Sequence, residues 1–169
     1  MTTPHTPPTI TLRQATGADR FMLRRWLGQE DVQAWWGSKA SAEAEIAVAL
    51  ASPSALCRIV EKNGAPIGYA HAVDASTWGA SAAEIPAGAY DIDLFIADAG
   101  SRGLGIGRAA LDLLSADVFA TTLAVACAVV VSIKNEKATR AFERAGFRWV
   151  SIFQDPLSGP SWVMLKPRP

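Results

Sequence analysis

The sequence predicts an α/β (α+β) domain, a mixed central sheet of about seven strands flanked by about four helices. Three observations carry that expectation. Segments of strand length, alternating or continuously apolar, recur between segments with helical spacing. Asn63-Gly64, the dipeptide that best tolerates the positive φ angles of a tight hairpin, joins two of the strand segments. A glycine-rich turn, Arg102 to Gly107, leads from a strand into a helix and marks a βα unit.

Along the chain, Thr9 to Arg13 reads as a short strand. Thr16 begins a helix to about Leu27, with Asp19 placed as a capping-box acid. Gly28 releases the chain into Gln29 to Gly37, and Ser41 is expected to cap a second, alanine-rich helix ending near Pro53. Leu56 to Glu61 and Pro66 to Val73 form the hairpin, and Asp74 to Ala89 a long loop. Tyr90 to Ala97 is a strand feeding the helix Gly105 to about Phe119. Val125 to Ile133 is apolar enough to be a strand covered on both faces. Asn135 starts an amphipathic helix that Gly146 ends, and strands Phe147 to Phe153 and Ser161 to Lys166 finish the chain.

Bulk properties narrow the function classes. Residues 1–8 are expected to be a disordered lead-in and residues 9–169 one domain, which suits a chain of 169 residues. The 16 basic and 16 acidic residues cancel, so no overall field draws nucleic acid or an anionic membrane. No apolar run is long enough to span a bilayer, and the start lacks the pattern of a secretory signal. Cys57 and Cys127 lie in apolar stretches, as reduced, buried thiols of a cytoplasmic protein would. With only His5 and His71 besides, no metal site is expected.

The turn Arg102-Gly103-Leu104-Gly105-Ile106-Gly107 allows close approach of several backbone amides beside a helix N-terminus, which suits a pyrophosphate. A P-loop would need Lys and then Ser or Thr after its last glycine, whereas Arg108-Ala109 follows here. A dinucleotide fingerprint would need Gly-x-Gly-x-x-Gly, whereas the spacing here is Gly-x-Gly-x-Gly, late in the chain.

Arg102-x-x-Gly105-x-Gly107, with Asn135-x-x-Ala138 and Phe142-Glu143-Arg144-Ala145-Gly146-Phe147 behind it, resembles the acetyl-CoA loop and the following segment of the GNAT acetyltransferases. The order of elements resembles that fold over almost the whole chain. Trp35-Trp36-Gly37, Ile67-Gly68-Tyr69-Ala70 and Ile92-Asp93-Leu94-Phe95-Ile96-Ala97 resemble the aminoglycoside 6'-N-acetyltransferases and their siderophore-acylating relatives.

The resemblance implies acetyl transfer from acetyl-CoA to a primary amine of a small polar acceptor. Aminoglycoside-like sugars and siderophore precursors are the candidates; protein amines and acyl-CoA binding without turnover are the alternatives. It implies that Asp93 is the base, that the backbone of Phe95, Ile96 and Ala97 pairs with the pantetheine, and that Asn135, Ala138 and Phe142 line the cofactor. By the period of two, Asp91 shares a strand face with Asp93 and is expected to help it or to touch the acceptor. Either aspartate equally suits backbone amides beside the loop, and Asn135 equally suits a helix cap. Trp36 and Tyr69 are expected at the acceptor, though tryptophans also fill cores, and His71 is expected to be structural.

Two departures stand out. Phe142 occupies the position where many of these enzymes have a tyrosine that protonates the leaving thiolate, with Tyr69 or Tyr90 as substitutes. Acidic residues are few in the Asp74–Ala89 loop, which holds only Asp74 and Glu84, and Val130-Val131 stands where the aminoglycoside branch often has Asp-Pro.

Overall fold

Strand β1 (Ile10–Gln14) leads through a 3-10 turn at Gly17–Asp19 into α1 (Arg20–Leu27). This structure is a computed structural model, which describes residues 6–78, 84–156 and 158–169. The expected capping box is present: Asp19 Oδ2 accepts the Thr16 N–H at 2.9 Å while the Thr16 hydroxyl caps the turn. Arg13 of β1 then ties Asp19, at 2.7 Å, to Glu61 of the neighbouring strand, at 2.9 Å.

Gln29 to Gly37 departs from the expected connection and folds as α2 (Glu30–Trp36), with two acids in its first turn and Gly37 leaving it at φ 79°. Helix α3 (Lys39–Ala51) begins earlier than expected. Ser38, not Ser41, is its cap, because Ser38 has the extended backbone of an N-cap and its Oγ accepts the Ser41 N–H at 3.2 Å. Among the described residues there are thus five α-helices where the sequence suggested about four.

The hairpin is as expected. β2 (Leu56–Lys62) and β3 (Ala65–Asp74) are joined by Asn63 at φ 52° and Gly64 at φ 81°, the left-handed pair of a type I′ turn. A 3-10 turn at Ala75–Trp78 follows; the side chain of Trp78 lies outside the described residues. Then come β4 (Tyr90–Ile96), α4 (Ile106–Thr121), β5 (Ala126–Ser132), α5 (Glu136–Arg144), β6 (Arg148–Asp155) and β7 (Gly159–Pro167).

The seven strands of the described residues form one sheet in the order β1-β2-β3-β4-β5-β7-β6. Every neighbouring pair is antiparallel except β4 with β5. Apolar cores lie on both faces. On one face Leu23, Trp26 and Leu27 of α1, Val32 of α2, and Ala42, Ile46 and Ala49 of α3 pack on Ile59, Tyr69, Val73 and Phe95. On the other face Ile106, Leu111, Leu114 and Val118 of α4 and Phe142 of α5 pack on Val60, Ile92, Val129 and Met164. Each such fully buried aliphatic side chain contributes about 1.5–3 kcal/mol. Among the described residues no helix is long and apolar enough to cross a membrane.

Candidate active site

The parallel pairing of β4 and β5 is short. Only Tyr90 with Cys127 and Asp91 with Ala128 are in register; beyond Asp91 the two strands separate. On its other side β4 stays paired with β3 as far as Ile96, opposite Gly68. The Ala97 N–H continues that pairing, donating to Ile67 O at 2.7 Å, and this sets the phase of the ladder. Antiparallel hydrogen bonds alternate, so the odd residues Asp93, Phe95 and Ala97 turn their backbone groups toward β3. The even residues Leu94 and Ile96 turn theirs into the splay. Of the Phe95–Ala97 backbone expected to meet a pantetheine, the amides of Phe95 and Ala97 are therefore engaged within the sheet, and the Ile96 N–H is the one that faces the opening.

The glycine loop follows at the end of β4. Gly103 and Gly105 adopt φ 75° and 77°, a conformation glycine tolerates and other residues resist. Gly107 has no such angle, and a Cβ built on it meets nothing within 4 Å. Neither backbone strain nor packing within the chain asks for glycine there, and the helix N-terminus makes the open space over the first turn of α4 favourable to anions. Ile106 is buried and anchors the helix start in the core, while Leu104 is exposed. These features fit a pyrophosphate.

Arg102 departs from its expected role. Its guanidinium turns back onto the chain, with Nε donating to Ile96 O at 2.7 Å and Nη2 to Ala97 O at 3.2 Å, and Nη1 pairs with Asp31 of α2. Asn135 takes the cap reading, its Oδ1 accepting the Ala138 N–H at 3.2 Å at the start of α5. Phe142 lies in the core, edge-on to Phe147 with ring centroids 5.2 Å apart, and offers no polar atom.

On the face of β4 that looks toward α1, α2 and α3, Asp91 and Asp93 are both half-buried. Asp93 Oδ1 accepts the Leu94 N–H at 2.8 Å, so this carboxyl does satisfy a backbone amide. Removal from water, with the negative charge of Glu45 second, pushes Asp91 up to about 7. The same two causes and the charge of Asp91 push Asp93 well above the usual carboxylate range. Burial also raises Glu45. The three carboxyls share one electrostatic field, although among the described residues no such group is spaced to hold a metal ion.

Glu45 was not singled out in the sequence, yet a signal existed. It lies three residues after Ala42 and four before Ala49, on the stripe of α3 that packs inward. A charged residue on a core-facing stripe needs a partner or a function. Its Oε1 is 3.6 Å from Nε2 of His71. Burial holds His71 down to about 4, so the imidazole is neutral and this contact is not an ion pair. His71 Nδ1 in turn lies 3.2 Å from the Tyr69 hydroxyl.

Tyr69, expected to touch the acceptor, is instead fully buried. Its role is to fill the core under His71, and burial raises its phenol so that it keeps its proton. Trp36 is half-buried over the same cluster, edge-on to Phe95 at 5.0 Å and to His71 at 5.6 Å, with Nε1 donating to Leu94 O at 3.3 Å. Trp35 is exposed. A strand that parts from its neighbour beside a glycine loop, with carboxyls on the opposite face, offers room for an anion at the loop and for a cation at the carboxyls.

The family model described as acetyltransferase (GNAT) domain matches residues 16–154. The chain belongs to the GNAT acetyltransferases. Aminoglycoside N(6')-acetyltransferases type 1 of Klebsiella pneumoniae and of Serratia marcescens are each 32% identical to it over 172 aligned positions, covering 94% of this chain and 83% of the relative. An aminoglycoside 6'-acetyltransferase crystallised with coenzyme A and kanamycin superimposes with a TM-score of 0.82 at 30% identity, over 95% of each chain. The same holds for that enzyme with ribostamycin and coenzyme A, over 95% of this chain and 94% of the other. This GNAT chain is accordingly an acetyl-CoA-dependent N-acetyltransferase, with acetyl-CoA as donor.

Proposed function

We propose that this acetyltransferase modifies a primary amine of a small, multiply charged acceptor of the aminoglycoside type. The observation that carries the reading is the field of Glu45, Asp91 and Asp93 on the face that receives the acceptor. Each carboxyl costs free energy to hold ionised in that half-buried site, and ammonium groups of an acceptor offset the cost. The acidic lining that the Asp74–Ala89 loop lacks is thus supplied by α3 and β4.

An ammonium has no lone pair, so the amine must first lose a proton. An aspartate with an ordinary pKa near ~3.9 is a poor base for it; the raised pKa of Asp93 brings it closer to the task. Asp93 takes the proton directly or through one water, and Asp91 and Glu45 hold the cationic acceptor in place. The Ile96 N–H donates to the thioester carbonyl as negative charge develops on its oxygen. The loop amides from Gly103 to Gly107 and the first turn of α4 hold the pyrophosphate, and Asn135 and Ala138 border the pantetheine. Phe142 supplies no proton to the departing sulfur. A thiol of pKa ~8.5 leaves as the thiolate with little help, so a general acid is not required.

The test is release of free thiol from acetyl-CoA in the presence of kanamycin, ribostamycin, a hydroxamate precursor and lysine-bearing peptides. Turnover fastest with the aminoglycosides is the expected result. Turnover confined to peptides would replace this reading with protein acetylation.

A further inference from the structure

Arg102 and Asp31 lie 71 positions apart in the chain, yet they form an ion pair at the entrance of the glycine loop. The guanidinium is planar and presents its donors in a fixed fork. Three of its nitrogens are committed, to Ile96 O, Ala97 O and the Asp31 carboxylate. The segment between is closed on itself by a 3-10 turn at Ala99–Ser101, with the Arg102 N–H donating to Ala99 O at 3.3 Å. Arg102 therefore fixes where the loop leaves the sheet.

Downstream the loop has one other firm anchor, the buried side chain of Ile106. Between the anchors lie Gly103 and Gly105, both with open space around the Cβ position. Glycines lose more freedom on ordering than other residues. A loop built this way binds an anion well only if its start is held before the ligand arrives. Asp31 is the part of the clamp that comes from outside the segment, and it links the segment to α2, whose other end is pinned to β4 by Trp36 Nε1 on Leu94 O.

We infer that Asp31 is a positioning residue for acetyl-CoA binding and acts through Arg102. The inference rests on the reading that residues 103–107 receive the pyrophosphate. Its sign distinguishes it from the simple alternative. A surface acid near a polyanion repels it, so if Asp31 acted by charge alone its removal would tighten cofactor binding. As the holder of Arg102, its removal weakens binding.

The experiment is titration calorimetry of coenzyme A against the full chain, with steady-state kinetics for acetyl-CoA using the acceptor that gives the fastest thiol release. Asp31→Asn is expected to raise the coenzyme A Kd and the acetyl-CoA KM about 3- to 10-fold, with kcat changed less than about twofold. Asp31→Glu should recover most of that loss, Arg102→Met should lose as much or more, and Asp31→Asn/Arg102→Met should bind like Arg102→Met alone. Unchanged or tighter binding by Asp31→Asn, losses that add in the double variant, or a melting temperature that falls in step with affinity would each overturn the inference. Gly107→Val, whose Cβ meets nothing within 4 Å, tests the underlying reading separately. If it leaves coenzyme A binding intact, the loop does not hold the pyrophosphate.

Discussion

Glu45 Oε1 on α3 stands 3.6 Å from Nε2 of the buried, neutral His71 on β3, the direct cross-strand partner of Asp93. Beside it the Glu45 carboxyl stands in the same field as the two strand aspartates, and the first consequence concerns pH. Glu45→Gln removes a negative charge that raises both Asp91 and Asp93. The acid limb of the kcat/KM profile should move to lower pH, by about half to one unit. The KM for a multiply charged acceptor should rise roughly tenfold, since one cation loses its partner, while the KM for acetyl-CoA stays unchanged. A limb that moves upward would contradict the shared field.

Asp93→Asn separates chemistry from donor binding. A positioned base contributes about 10²- to 10⁴-fold, and kcat/KM should fall within that range. The Kd for coenzyme A, measured by calorimetry, should stay within about twofold. Loss of coenzyme A binding would mean that Asp93 serves the loop.

Asp91→Asn should act on stability, with a sign set by its raised pKa of about 7. The folded protein holds the Asp91 proton more tightly than the unfolded chain does, where the ordinary value near ~3.9 applies. This group's contribution is most favourable below about pH 4, falls as pH rises through 7, and is then flat. Because the site is half-buried and water screens it, the asparagine variant should melt only about 3 °C above the parent at pH 8. At pH 5 the gain should be smaller. A larger gain at pH 5 than at pH 8 would reverse the linkage and refute the shift.

Gly68→Ala tests the close approach of β3 and β4. A Cβ there would sit 2.3 Å from Phe95 O and 3.1 Å from the Cα of Ile96, both backbone atoms that cannot swing aside. Urea denaturation should show a loss of more than about 2 kcal/mol. Relief of the clash by separation of the strands would also displace Asp93 and Ile96, so activity should fall more steeply than stability.

Local chemistry was the legible part of the sequence. Asn63-Gly64, the Thr16 and Asp19 capping pair and the apolar run of β5 each depend on near neighbours, and each element stands where those residues put it. Helix α2 escaped notice because its span, Glu30–Trp36, makes too few turns for a period to show. The Ser38 cap was missed because two serines three residues apart, one supplying the oxygen and the other the N–H, look alike in a sequence. Glu45 and the Arg102–Asp31 pair were hidden for a different reason. Periodicity says which face of a helix turns inward but not what it meets, and contacts between distant elements exist only once the sheet has assembled.

The parting of β4 from β5 beyond Asp91 makes the sheet a partition with a slit in it. The glycine loop opens α4, which covers one side of the partition, and the carboxyls stand on the side covered by α1, α2 and α3. On the proposed assignment, substitutions in α3 remodel the acceptor side and leave the donor loop, clamped by Asp31 of α2, intact. Enzymes built this way can change what they acetylate without relearning how to hold the acetyl carrier.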